Sequence, residues 1–176
     1  GDHNYENILA AIAVTYSMGV PVSYIKEGIQ RFKGVEHRIE YVDTVKGVAY
    51  YNDSKGTNPD AAIQGIRAMT TPTCLIGGGY DKGSTYDEWI EAFGSTIKYL
   101  VLIGQTSKAI ADCCEKHGFT NYEFATSMEE AVEKCASHAK PGEAVLLSPA
   151  CASWGMFDNY EQRGRIFKEL VRKLPD

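Results

Sequence analysis

The chain has 176 residues, 44% of them hydrophobic, enough for one full domain with a real core and part of a second. Its formal charge of −5, with no offsetting cluster of Lys and Arg, argues against a nucleic-acid partner. No apolar run nears the roughly 20 residues that cross a bilayer and no signal peptide opens the chain; its five cysteines lack a CxxC pair and read as free, mostly buried thiols of a reducing cytoplasm, not a zinc or disulfide framework.

Asp2 can cap a helix running to about Met18, its carboxylate accepting the free N–H groups of the first turn. Ile8, Ile12 and Tyr16 recur every four residues and should share one face of it. Gly19 ends this helix, Pro21 starts a second to about Phe32, and Gly34 closes the pair. The opening Gly1-Asp2-His3-Asn4, without Met and already in a helical pattern, reads as a cut through a larger protein; a processed start or a tag remnant are the alternatives.

From Ile39 the pattern changes. IEYVDT and GVAYYN predict two short strands in a hairpin around Val45-Lys46-Gly47. Asn58-Pro59 starts a helix with Ala62, Ile66 and Met69 on one side, followed by the apolar strand TCLIGG. A helix over Tyr86 to Phe93, the strand KYLVLIG, a helix from about Thr106 to Lys116 and a short strand near Tyr122 come next. A helix from Ser127 to His138, the strand AVLLS and a closing helix from Glu161 to Leu174 complete the series. This alternation predicts an α/β fold, a mostly parallel sheet with helices on both faces.

Ligands in such sheets sit at the carboxyl ends of the strands, here Asn52 to Asn58, Gly77 to Gly83, Gly104-Gln105 and Ser148 to Ser153. In the first corner, Asn58 and Pro59 aim the positive end of a helix at Asp53 to Thr57, favouring an anion. Lys55 adds charge, and Ser54 and Thr57 add hydroxyls. Asp53 could pair with Lys55, bind a ribose hydroxyl or accept a proton; a plain Asp–Lys surface pair is the bland alternative. GGGYDKG lets a backbone approach a ligand closely and carries Lys82, yet it has neither the GxGxxG nor the GxxxxGK[ST] order, and a flexible turn with a solvated lysine stays open. After LLSPACAS come Trp154, Phe157 and Tyr160, which could wall a pocket or pack in the core, so Ser153 and its backbone are the firmer candidates. Cys151, a lone thiol in an apolar setting, reads as structural rather than nucleophilic.

Taken in order, G-D-H-N-x-x-N, H-R, NDSKGTN, GGYDKG, and LLSPACAS with F-x-N-Y-E-x-R-G resemble the Mur ligases of peptidoglycan synthesis, over essentially all 176 residues. NDSKGTN and SPACAS are most similar to the branch that adds D-glutamate. The resemblance implies a three-domain enzyme. Residues 1–35 would be the helical tail of a central ATPase domain, and residues 36–176 a Rossmann-like C-terminal domain that binds D-glutamate. It implies that Asn4 and Asn7 reach adenine, that Arg38 touches ATP phosphates, and that Asp53 and Lys55 serve the nucleotide side and domain closure. Thr57, Lys82, Ser153 and the backbone near Tyr160 fall where the family binds D-glutamate; Tyr160 stands where phenylalanine is familiar. ATP, Mg2+ and UDP-N-acetylmuramoyl-L-alanine are the implied partners of the whole enzyme, reached mainly through domains absent here. No P-loop or magnesium ligand of that kind occurs in the 176 residues, so no metal site, no bound cofactor and no turnover are expected of this chain alone. Arg38 and Asp53 are expected to matter for catalysis more than for folding. A stand-alone nucleotide- or amino-acid-binding module is the competing reading. A nicotinamide oxidoreductase has only the fold in its favour.

Overall fold

The computed structural model describes residues 2–32 and 34–175, with the side chains of residues 2–4 left out. Two compact units divide at Val35 and Glu36. The first is a helical pair, α1 (Asp2–Ser17) and α2 (Val22–Arg31). Ile8 and Ile12 are half-buried on α1, but the stripe continues to Thr15, and Tyr16 is 66% exposed. The Thr15 hydroxyl folds back onto the Ala11 carbonyl at 2.7 Å, so a polar side chain sits there without an unmet donor. The capping expected of Asp2 lies outside the described side chains.

The second unit holds one six-stranded sheet. Its elements are β1 (Glu40–Val45), β2 (Val48–Asn52), α3 (Pro59–Arg67), β3 (Thr73–Gly77), α4 (Asp87–Glu91) and β4 (Ile97–Leu102). Then come α5 (Ser107–Lys116), β5 (Tyr122–Phe124), α6 (Met128–His138), β6 (Ala144–Leu147) and α7 (Tyr160–Lys173). The strand order is β1-β2-β6-β3-β4-β5, antiparallel only between β1 and β2. Val45 faces Val48 across a two-residue turn in which Lys46 (φ 50°) and Gly47 (φ 77°) are both left-handed, the backbone twist that a tight hairpin needs. Asn58 and Ser127 cap α3 and α6 with side-chain oxygens, as their sequences suggest.

Strand side chains alternate between two cores. Leu75, Leu100, Leu102 and Leu146 pack under α3, α4 and α5 with Ile66, Trp89, Phe93 and Ile110. Cys74, Ile76, Val101, Val145 and Leu147 pack on the other face with Val132, Cys135, Phe167 and Val171 of α6 and α7. A sheet covered on both faces explains why β3 and β6 read as unbroken apolar runs. Because β6 is inserted between β2 and β3, the segments leaving the carboxyl ends of these three strands emerge side by side at a topological switch point.

Candidate functional site

The segment leaving β2 spends most of its own backbone donors. The N–H groups of Lys55, Gly56 and Thr57 go to the carbonyls of His37, Asp53 and Lys55 at 2.8–3.0 Å, and Asn58 Oδ1 takes the Ala61 N–H. The anion site expected from the helix end therefore has little free backbone in this loop. What faces outward is side chain: half-buried Thr57, and exposed Lys55, whose ammonium lies 3.9 Å from the centre of the Tyr160 ring.

Asp53 does not pair with Lys55. It is 4% exposed, with Oδ2 accepting from the Ser148 hydroxyl at 2.7 Å and Oδ1 from the Ile39 N–H at 3.3 Å. Gly56 and Gly65 close over it; a Cβ on either would meet Oδ2 at 2.8 or 2.6 Å. Burial pushes its carboxyl up to about 6, against the pull of the Ser148 and Ile39 hydrogen bonds and of Arg38 and Arg163. This burial bears against the expectation that Asp53 matters for catalysis more than for folding, since truncation would strand two donors inside the protein.

Arg38 is displayed by a strained turn. His37 (φ 65°) and Ile39 (φ 49°) on either side of it are left-handed, a costly state for a β-branched residue. Two hydrogen bonds hold that turn: His37 N–H to Glu40 Oε2 at 3.0 Å, and Ile39 N–H to Asp53. Arg38 is left exposed, with no ion pair among the described residues. Asn7 is exposed on α1 in the first unit, and the Asn4 side chain lies outside the described residues.

Sequence reasoning missed the buried polar groups that hold these loops. Arg163, fully buried, donates from Nε to the Ser54 hydroxyl (3.0 Å), from Nη2 to the Ser54 carbonyl (2.8 Å) and from Nη1 to the Cys151 carbonyl (3.0 Å). Ser54 in turn donates to the Tyr160 carbonyl at 2.7 Å. The segments after β2 and β6 and the start of α7 are thus tied by one guanidinium. Burial pulls Arg163 down to about 10, and it stays charged at neutral pH. A second network joins His37, Asn52, Glu40, Lys168 and Glu36. Asn52 Nδ2 lies 2.9 Å from His37 Nδ1 and 3.0 Å from Glu40 Oε2, and Lys168 reaches both glutamates at 2.7 and 2.9 Å. Burial holds His37 below its usual value; with Asn52 Oδ1 already accepting the Ser54 N–H, its Nδ2 is the donor to His37 Nδ1. The H-R and R-G pairs carried the signal: Gly164 is required because a Cβ there would lie 2.2 Å from His37 Nδ1.

The segment after β3 is pinned to the one after β6. Gly78 N–H reaches the Pro149 carbonyl, and Tyr80 N–H the Ala152 carbonyl, at 2.8 and 2.9 Å. Gly78 (φ 96°) and Gly79 (φ 155°) permit this approach; a Cβ would strike the Ile103 and Ala152 carbonyls at 2.2 and 2.3 Å. Lys82 then projects over Trp154, 4.6 Å from a ring centre, and Trp154 (52% exposed) meets Tyr80 edge-on at 5.5 Å. Ser153 is buried beside this pair, and among the described residues its hydroxyl makes no hydrogen bond. Cys151 is buried against Tyr86 and Thr106, with burial raising its thiol, as a structural cysteine should be. A groove of about 660 Å³ exists elsewhere, among the hairpin, α6 and α7 at the amino-terminal edge of β2 and β6. None of the candidate site residues lines it.

Lys55 with Tyr160, and Lys82 with Trp154 beside Ser153, therefore flank one sheet edge, while Asp53 and Arg163 sit beneath it. Cations and hydroxyls thus meet at the switch point of an open α/β sheet, the place where domains of this class bind their ligands. Residues 37–151 match the family described as Mur ligase, glutamate ligase domain, and the chain belongs to that family. It is 65% identical over 174 residues to the UDP-N-acetylmuramoylalanine–D-glutamate ligase of Lachnospira eligens, covering 99% of this chain and 39% of that protein. To the ligase of the same name from Lachnoclostridium phytofermentans it is 58% identical over 176 residues, 100% of this chain and 39% of that protein. The chain thus spans about two fifths of the length of the curated relatives it matches. Among solved structures, UDP-N-acetylmuramate-alanine ligase from Thermotoga maritima has the same fold, with a TM-score of 0.71 at 19% identity over 98% of this chain and 38% of the other.

Proposed function

We propose that residues 36–176 form the D-glutamate-binding domain of an ATP-dependent ligase that joins D-glutamate to UDP-N-acetylmuramoyl-L-alanine in the cytoplasm. Residues 1–35 are then the helical end of its central ATPase domain. The exposed Tyr5, Leu9 and Val14 of α1 are what a helix cut out of a larger core would show. The observation that carries the proposal is the pairing of two loop cations, Lys55 and Lys82, on one sheet edge in a chain whose relatives bear that name.

D-glutamate brings two carboxylates and one amine. Two carboxylates leaving water need separate cationic or N–H donors, which Lys82, Thr57, the buried Ser153 and the backbone near Tyr160 can supply. In the reaction, the substrate carboxylate becomes an acyl phosphate by transfer of the terminal phosphoryl of ATP. The glutamate amine attacks the acyl carbon, phosphate leaves with the C–O electron pair, and the amine gives up a proton. This domain orients that amine, an effect worth several kcal/mol. Arg38, exposed and without an ion pair among the described residues, suits a phosphate; Asn4, Asn7, Asp53 and Lys55 complete the nucleotide side of the proposal, Asp53 by holding the Arg38 turn. Neither loop aspartate is offered freely to Mg2+. Asp53 is buried with both oxygens engaged, and Asp81 Oδ1 accepts the Gly83 N–H at 2.7 Å.

The test is to graft this chain in place of the matching 39% of the Lachnospira eligens protein. The hybrid should release phosphate from ATP only with UDP-N-acetylmuramoyl-L-alanine and D-glutamate together, and the 176-residue chain alone should release none. A hybrid that folds and accepts other amino acids equally well contradicts the assignment.

A further inference from the structure

Away from that edge, α4 and α5 bring together donors of three kinds. Asp87 and Glu91 lie four residues apart on one helix, and Cys113 on the other lies four before His117, the residue that caps its carboxyl end. One ligand atom each from Asp87, Cys113 and His117 lies within 4.8 Å of the others. Asp87 Oδ1 is 2.9 Å from His117 Nε2, while His117 Nδ1 turns to Glu91 Oε1 at 3.8 Å. Cys113 is half-buried.

We propose that Asp87, Cys113 and His117 bind a divalent cation of the zinc class, with Glu91 orienting the imidazole. One oxygen, one nitrogen and one sulfur suit zinc and its neighbours and suit magnesium or calcium poorly. Three protein ligands leave a fourth position for water. His117 Nε2 donates to Asp87 here; with a metal on Nε2 instead, the proton would move to Nδ1, and Glu91, 3.8 Å away, would have to close in by a side-chain rotation to become its outer partner. Without metal, Lys116 occupies Asp87; it is 69% exposed and can swing away. Binding displaces that ammonium and releases the Cys113 proton, so affinity rises with pH. The sequence reading expected no metal, because the five cysteines form no CxxC pair. A second cluster of ligand-type groups among the described residues, Glu36, His37 and Glu40, has no thiol, so a thiolate band tells the two apart.

Cobalt(II) is the probe, titrated into the 176-residue chain with absorbance read in the near ultraviolet. A thiolate-to-cobalt band should saturate at one ion per chain and collapse on adding zinc. Cys113→Ser should abolish it, Glu91→Gln should weaken binding about tenfold or more, and Lys116→Met should tighten it. Metal-free melting curves of each variant check the fold, and Lys116→Met decides the matter should Cys113→Ser unfold. No band, a band that survives Cys113→Ser, or binding unmoved by Lys116→Met overturns the proposal.

Discussion

At the scale of single residues, Asp53 carries a pH signature. Its folded value is near 6 against an ordinary 3.8. Between these values the folded protein keeps a proton that the unfolded chain has lost, so this group adds stability as pH falls from about 6 to 4. Above 6, the buried charge costs on the order of 2–3 kcal/mol. Asp53→Asn keeps the shape, with its amide oxygen accepting from Ile39 and its nitrogen donating to Ser148. The variant should melt above the parent at pH 7.5, and the gap should close toward pH 4. A variant less stable at every pH would mean that the carboxylate is welcome where it sits. His37 works the other way: held below its ordinary 6.5 by burial, it loses stability as pH drops through that value. Gly164→Ala forces a methyl into the His37 ring, and calorimetry should show a loss of about 1–3 kcal/mol.

At the scale of elements, one guanidinium sets the geometry of the edge. Arg163→Lys keeps the charge but cannot reach the Ser54 hydroxyl, the Ser54 carbonyl and the Cys151 carbonyl together. A loss of about 2–3 kcal/mol is expected in denaturant titrations, with faster proteolysis in the segments after β2 and β6. Unchanged stability would show that these segments are held by their glycine contacts alone. Much of this level was legible in the sequence. Strand and helix alternation, the Lys46-Gly47 hairpin and the caps Asn58 and Ser127 all follow from local chemistry. The Ser148–Asp53 and Arg163–Ser54 partnerships span 95 and 109 residues and depend on β6 entering between β2 and β3. No local periodicity encodes that order. In sequence the Asp53 corner reads as a ligand-binding loop, with a plain Asp–Lys surface pair as the alternative; the fold instead buries its acid and exposes its lysine.

At the scale of the whole molecule, the central claim is that the edge of this sheet recognises D-glutamate, with Lys82 as its principal cation. Lys82 makes no ion pair among the described residues and rests only on Trp154, which leaves its charge available to a carboxylate. A charge-assisted hydrogen bond is worth roughly 1.5–3 kcal/mol, which translates into a tenfold to hundredfold effect. The most direct measurement is the pair of KM values for D-glutamate and for ATP in a full-length ligase carrying this domain, with and without Lys82→Ala. The account predicts a KM for D-glutamate raised about ten- to hundredfold with that for ATP unchanged. An unchanged D-glutamate KM, or the same rise for both substrates, would contradict it.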